Sequence, residues 1–239
     1  MTRPLALVFG GSRGIGAASV EALARQGHDV AFTYVSRAVD APAIDGASVR
    51  GYACDITDPA AIAATFSAVA ADFGRPIHCV VANAGINVPT SPVANLDDAT
   101  LQRVMQVNLI GAVNVLREAA RQVADGGSIL ALTTSMVRTA PPNAAAYTAS
   151  KAAVEIFVRA MAKELAGRRV RVNAVAPGPV DTELFHAGKT DEVKARAAAM
   201  SPFNRIGRPE EVAAVVAFLA SDAASWVHGQ IVQPNGGMI

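Results

Sequence analysis

Short apolar runs alternate with helical segments along the whole of this 239-residue chain. The first run, Leu5-Ala6-Leu7-Val8-Phe9, ends at glycine, as a buried parallel strand does. Residues 15–26 follow as a helix that stops at Gly27. Further strands are expected at 30–34, 49–53, 77–82, 128–133, 170–174 and 230–232. Helices are expected at 58–71, with Pro59 at the first position, and from Asp97 or Asp98 to about Val123. Two more are expected at 143–166 and 210–220, and residues 183 to about 205 look like a helical insertion. Pro42 and Gly46 leave 38–46 room for only a short helix or a loop. No linker, repeat or low-complexity tract breaks the pattern. Such alternation implies an α/β fold: one doubly wound parallel sheet with helices on both faces, in a single domain over 1–239. Ligands of such sheets bind at the carboxyl ends of the strands.

Composition narrows the function classes. A net charge of +1 argues against a dedicated nucleic-acid surface. Half the residues are hydrophobic, yet no run approaches the roughly 20 apolar residues of a membrane span. Cys54 and Cys79 are too few for a disulfide framework, have no metal-ligand spacing and read as core thiols, so no metal is expected. Met1-Thr2-Arg3-Pro4 leads straight into a strand without the basic and apolar stretches of a signal peptide, so the expected location is cytoplasmic.

Two segments carry chemistry. Gly10-Gly11-Ser12-Arg13-Gly14-Ile15-Gly16 lies between the first strand and the first helix. Gly10 can allow the turn, Gly14 the close approach of a pyrophosphate, and Gly16 close helix packing. The helix N-terminus behind them offers free N–H groups and a partial positive charge. The second segment is Tyr147-Thr148-Ala149-Ser150-Lys151. A phenol and an ammonium four residues apart share one helix face. The cation should lower the phenol's pKa from about 10 towards neutrality, making it a proton donor and acceptor for a substrate oxygen. A nucleotide site beside a proton-transfer site suggests hydride chemistry.

The spacing Gly-x-x-x-Gly-x-Gly together with Tyr-x-x-x-Lys resembles the short-chain dehydrogenases/reductases, and the resemblance covers nearly the whole chain. Cys54-Asp55-Ile56 matches the segment whose aspartate and following residue contact the adenine. Asn83-Ala84-Gly85 matches the motif that lies along the cofactor after the fourth strand. Asn108, in Val107-Asn108-Leu109-Ile110-Gly111, matches the asparagine that helps hold the active-site lysine and its water. Pro177-Gly178-Pro179-Val180-Asp181-Thr182 matches the turn that holds the nicotinamide carboxamide. By resemblance Tyr147 is the proton donor, Lys151 lowers its pKa and holds the nicotinamide ribose, and a hydroxyl stabilises the developing oxyanion.

That hydroxyl is irregular. The family places a serine about thirteen residues before the tyrosine. Thr134 stands at that position here and Ser135 follows it, with Pro141-Pro142 able to shift the register. Ser135 is favoured, because a β-branched threonine is stiffer at χ1. Phe9 stands where the family usually has a threonine, so a local hydrogen bond is expected to be missing there.

The resemblance further implies a reductase of a ketone or aldehyde carbonyl, working reversibly, closest in pattern to 3-oxoacyl-carrier-protein reductases. Asn235-Gly236-Gly237-Met238 and the overall length suggest that branch. NADP(H) is favoured over NAD(H). An NAD-type site needs an acid at the end of the second strand, and Tyr34 stands there, followed by Ser36 and Arg37, with Arg13 in the glycine turn. Asp40 is near enough in sequence to pair with Arg37 and weaken that preference. The insertion at about 184–205 is by resemblance a lid over the substrate. A homotetramer is expected through the helices at 98–123 and 143–166, whose outer faces would carry Ala112, Val115 and Ala119, or Ile156 and Ala160. The alternative is a catalytically silent NADP(H)-binding sensor or partner subunit.

Overall fold

A computed structural model describes residues 3–36 and 39–239. Arg37, expected to meet a 2′-phosphate, lies outside the described residues. Among the described residues, seven parallel strands form one sheet in the order β3-β2-β1-β4-β5-β6-β7. They are β1 (Leu5–Phe9), β2 (Asp29–Tyr34), β3 (Val49–Ala53), β4 (Cys79–Ala82), β5 (Ser128–Leu132), β6 (Arg171–Val175) and β7 (Ile231–Val232). β1, β4 and β5 are buried along their whole length, which is why they read as unbroken apolar runs rather than alternating ones. The sheet is doubly wound and of Rossmann type: the strand order reverses at the β1–β4 pair, where a crevice opens at the carboxyl ends.

Helices cover both faces and divide the core in two. Helices α1 (Gly14–Arg25) and α9 (Pro209–Ala220) pack against one face over Val20, Leu23, Val212, Val216 and Leu219. Helices α2 (Pro59–Phe73), α4 (Ala112–Gln122) and α6 (Ala145–Glu164) pack against the other. Phe9, expected to leave a gap, fills that second core against Phe66 with ring centroids 5.8 Å apart. Beside it, Thr33 Oγ1 accepts from the Gly10 N–H at 3.0 Å. Element ends follow their caps. Asp58 caps α2, and Gly74 ends it in the left-handed conformation at φ 64°. Asp97, rather than Asp98, caps α3 (Asp98–Met105) by accepting from Thr100 N–H.

Three features depart from the sequence expectation. The helix expected from 98 to 123 is broken by a wider turn of π-helix at Gln106–Gly111, between α3 and α4. Ala112, Val115 and Ala119, expected on an outer face, lie in the core instead, because they form the apolar stripe by which the amphipathic α4 packs on the sheet. Ile156 and Ala160 on α6 do face outward, with Phe157 beside them. A short helix, α5 (Met136–Thr139), lies unannounced between β5 and α6. The insertion holds two helices, α7 (Glu183–His186) and α8 (Asp191–Ala199). Its two ends are joined: Asp181 N–H donates to Gly207 O at 2.8 Å and Gly207 N–H to Pro179 O at 2.9 Å.

Candidate active site

The carboxyl ends of β1 to β6 deliver most of the singled-out residues to one edge of the sheet. The glycine turn leaves β1 with Gly10 at φ 73° and Gly14 at φ 53°, conformations that strain any side chain. A Cβ on Gly16 would stand 2.0 Å from Gly10 O, so the turn closes only around glycine. The first bond of α1 runs from Ala17 N–H to Arg13 O, and Arg13 gives the helix no side-chain cap. The N–H groups of Gly14, Ile15 and Gly16 therefore precede the helical ladder as free donors. An uncapped helix N-terminus behind a side-chain-free turn fits the pyrophosphate of a dinucleotide. Ser12 and Ile15 are half-buried in the same turn.

Neighbouring strand ends complete this floor. Asn83 Nδ2 donates to Gly10 O at 2.8 Å, tying the end of β4 to the glycine turn across the crevice. Asp55 is exposed after β3 and accepts from the Thr57 N–H and Oγ1. Ile56 is buried under Gly111, and its carbonyl accepts from Asn114 Nδ2 at 3.3 Å. The motifs do not point to Asn114; its signal is an amide on the apolar stripe of α4. Tyr34 ends β2, and Ser36 is exposed beyond it. Arg13 is exposed and pairs with Glu183 at 3.0 Å, a contact worth little in water. After β6, Gly178 packs on Asn235, Val180 is buried and Thr182 caps α7.

Tyr147 and Lys151 stand one turn apart on α6, on the face turned to β5. The Lys151 ammonium is buried and donates to Leu132 O at 2.9 Å. Gly85 lies between it and Asn108: a Cβ there would stand 3.4 Å from Lys151 Nζ and 3.1 Å from Asn108 Oδ1. The buried Asn108 is held at both ends by one residue. Its Oδ1 accepts from Ile86 N–H at 2.8 Å and its Nδ2 donates to Ile86 O at 2.9 Å. The π turn that carries Asn108 widens the helix where this loop enters. Ala84 and Gly85 run along the opening between the glycine turn and Lys151.

The two hydroxyls after β5 diverge. Ser135 is fully buried; its Oγ donates to Ala176 O at 2.7 Å and accepts from Asn235 Nδ2 at 3.3 Å. It faces β6 and the C-terminal loop. Thr134 instead lies beside the Tyr147 phenol and favours the phenolate, while its Oγ1 accepts from the Met136 N–H at 3.3 Å. Burial outweighs it and pushes the Tyr147 phenol up to about 12. This reverses the expected depression. The cation one turn away does not overcome the desolvation, and burial brings Lys151 itself down to about 8.

The depressed lysine yields a stability prediction. Its pKa falls from 10.5 unfolded to about 8 folded, so the cost of burying the charge is present in full below pH 8. That cost fades as pH rises from 8 to 10.5. Lys151→Met removes it and forfeits one hydrogen bond. At pH 7 the variant should gain about 1–2 kcal/mol, or roughly 2–8 °C in Tm. The advantage should shrink by pH 10. Thermal melts at both pH values check this, and a lower Tm at pH 7 contradicts it.

A cavity of about 180 Å³ lies between the insertion and the C-terminal loop, lined by Ser201, Phe203, Arg205, Glu211, Asn235 and Met238. It does not include Tyr147, Lys151 or Thr134. Among the described residues no helix is long and apolar enough to cross a membrane.

Comparison with known proteins agrees with this geometry. A family model described as enoyl-(acyl carrier protein) reductase matches residues 10–239. A short-chain type dehydrogenase/reductase of Picea abies is 40% identical, over 98% of this chain and 92% of that protein. An Arabidopsis thaliana protein named NADPH-dependent aldehyde reductase-like, chloroplastic, is 38% identical, over 98% of this chain and 94% of its own. A solved short-chain dehydrogenase/reductase of Serratia marcescens superposes with a TM-score of 0.89 at 33% identity, covering 98% of this chain and 97% of that one. With its uncapped glycine turn, its Tyr147–Lys151 face and this similarity along its length, the chain belongs to the short-chain dehydrogenases/reductases and is an NAD(P)-dependent oxidoreductase of that family.

Proposed function

We propose that the protein is an NADPH-dependent reductase of aldehyde or ketone carbonyls. The observation that carries this is Tyr147 one helical turn from the buried Lys151 ammonium on α6, with Thr134 beside it at the carboxyl ends of the strands. When bound, the nicotinamide cofactor supplies the hydride. Gly10, Ser12, Gly14, Ile15 and Gly16 would hold its pyrophosphate, Asp55 and Ile56 its adenine, and Pro177, Gly178, Val180 and Thr182 its nicotinamide end. Asn83, Ala84 and Gly85 would line its path.

The chain's own groups handle the proton. With a pKa of about 12, the Tyr147 phenol is neutral at working pH and keeps its proton until a stronger base, the developing alkoxide, takes it. Thr134 takes the part expected of Ser135: its hydroxyl donates to the same substrate oxygen. Lys151, at about 8, is the more acidic of the two partners, so a proton passing from its ammonium to the phenolate runs downhill. Asn108 holds the Ile86 loop against that lysine. Cofactor oxidation with a panel of aldehydes, ketones and a 3-oxoacyl thioester tests the reading. Turnover of at least one is expected. NADPH binding with no turnover of any would favour the silent nucleotide-binding alternative.

Preference for NADP(H) rests on charge. No carboxylate ends β2, Tyr34 and Ser36 stand there, and Arg37 follows in the sequence. Arg13 is free to exchange its weak partner Glu183 for a 2′-phosphate. The Arabidopsis relative named NADPH-dependent supports the same choice. A charged hydrogen bond is worth about 1.5–3 kcal/mol. Arg37→Ala should then weaken NADPH binding roughly 10- to 150-fold and leave NADH nearly unchanged. Dissociation constants for both cofactors on both proteins decide this, and a wild type that prefers NADH overturns it.

The same reading makes 1–239 one domain with a lid at about 184–205, acting in the cytoplasm as a homotetramer. Ile156 at 62% and Phe157 at 42% exposure give α6 an apolar outer face of the kind an interface covers. Sedimentation at micromolar concentration should show a tetramer; monomer alone would contradict the assembly.

A further inference from the structure

Glu155 stands on α6 eight residues after Tyr147 and four after Lys151, so all three share one helix face. Its carboxylate is buried, 3% exposed, and takes no part in the proton transfer described above. A charge leaves water at a cost and persists where partners hold it. Glu155 has two. Oε1 accepts from Thr133 Oγ1 at 3.3 Å, and Oε2 accepts from Arg138 Nη1 at 2.8 Å. These partners flank Thr134 in sequence, one before it just past the end of β5, one after it on α5.

The β5 side of the connection they hold is tied to β6: Thr133 N–H donates to Val175 O at 2.8 Å and Ser135 N–H to Pro177 O at 2.9 Å. Helix α5 is a single turn without a side-chain cap, and it ends at Ala140 in the left-handed region at φ 43°. Arg138 N–H donates to Ser135 O at 2.9 Å, so its position is coupled to the backbone beside Thr134. An apolar side chain would fill the space of Glu155 without desolvating a charge. What it would lack is a grip on both ends of the segment that aims the hydroxyl.

We propose that Glu155 is a positioning residue: through Thr133 and Arg138 it fixes where the β5–α5 connection places the Thr134 hydroxyl against Tyr147. This rests on the role given to Thr134 above. A displacement of about 1 Å in such a group can cost about 100-fold in rate. Glu155→Gln keeps the shape and removes the charge that holds Arg138. It should fold, bind NADPH with wild-type affinity by nucleotide fluorescence, and keep KM within about 2-fold. Its kcat, with NADPH and the best carbonyl of the panel, should fall about 10- to 100-fold. The decisive measurement is the double variant. Thr134→Ala/Glu155→Gln should be no slower than Thr134→Ala alone, because a misplaced hydroxyl and an absent one fail at the same step. Arg138→Lys, which keeps the charge, should retain most of the activity.

Losses in kcat that multiply would overturn the proposal, as would a wild-type kcat for Glu155→Gln. So would loss of NADPH binding alongside kcat, which marks a merely structural part. If Glu155→Gln does not fold, Arg138→Gln, at a third-exposed side chain, takes its place in the cycle. Failure of both to fold also overturns it. If Thr134→Ala keeps wild-type kcat, the role of Thr134 is wrong and this inference falls with it. A slow Thr134→Ala with an additive Glu155→Gln sinks only the inference.

Discussion

Tyr147→Phe is expected to lower kcat at least about 100-fold while leaving the fold and NADPH affinity near wild type. Phenylalanine keeps the ring, and the ring is only half-buried, so little packing is lost. What goes is a hydroxyl that burial holds at a pKa of about 12, a neutral donor throughout the working pH range. Lys151 delivers its proton through the phenol that is lost, and Asn108 is an amide tied to Ile86, so neither takes its place. Steady-state kinetics with NADPH and a reducible carbonyl, beside nucleotide binding, check this. A variant that keeps more than about a tenth of wild-type kcat would remove Tyr147 from its assigned role, because general acid catalysis is worth about 10²–10⁴-fold.

The parts of this protein that were legible in its sequence are those decided locally. Strand β1 reads as a strand because every residue from Leu5 to Phe9 is apolar and a glycine follows. Helix α2 reads as a helix because Asp58, Pro59 and Gly74 bracket it. The glycine turn is legible because only glycine fits at Gly10, Gly14 and Gly16. What stayed hidden depends on distant partners. The π turn at Gln106–Gly111 carries the Asn108 that pairs with the distant Ile86, and Ala112, Val115 and Ala119 after it lie in the core. The direction of the Tyr147 shift depends on how far the surrounding fold desolvates the phenol, which spacing to a lysine does not reveal. Glu155 did carry a signal, two turns along the Tyr147 face, but its partners come from β5 and α5.

The hydroxyl assignment is the sharpest case of this kind, and it makes the second large prediction. Thr134 and Ser135 are adjacent, carry the same group and end the same strand, so propensity alone cannot separate them. Tertiary contacts do. Ser135 N–H donates to Pro177 O and its Oγ is taken by Ala176 O and Asn235 Nδ2, which fastens β5 to β6 and to the C-terminal loop. That fastening commits Ser135 to β6 and the C-terminal loop, while Thr134 lies beside the Tyr147 phenol. Thr134→Ala should therefore lower kcat about 10²–10³-fold, the usual cost of losing one oxyanion donor, with Tm nearly unchanged. Ser135→Ala should do the opposite. It strands a buried carbonyl and costs about 1–3 kcal/mol of stability, yet keeps kcat within about tenfold at a temperature where the protein stays folded, since less than about 1.4 kcal/mol then separates the barriers. Thr134→Ser, which keeps a hydroxyl at the same position, should restore most of the rate. Parallel kinetics and melts on the three variants decide the matter. A larger kcat loss in Ser135→Ala than in Thr134→Ala would return the role to the serine, and would mean that the Ala176 and Asn235 contacts give way when substrate binds.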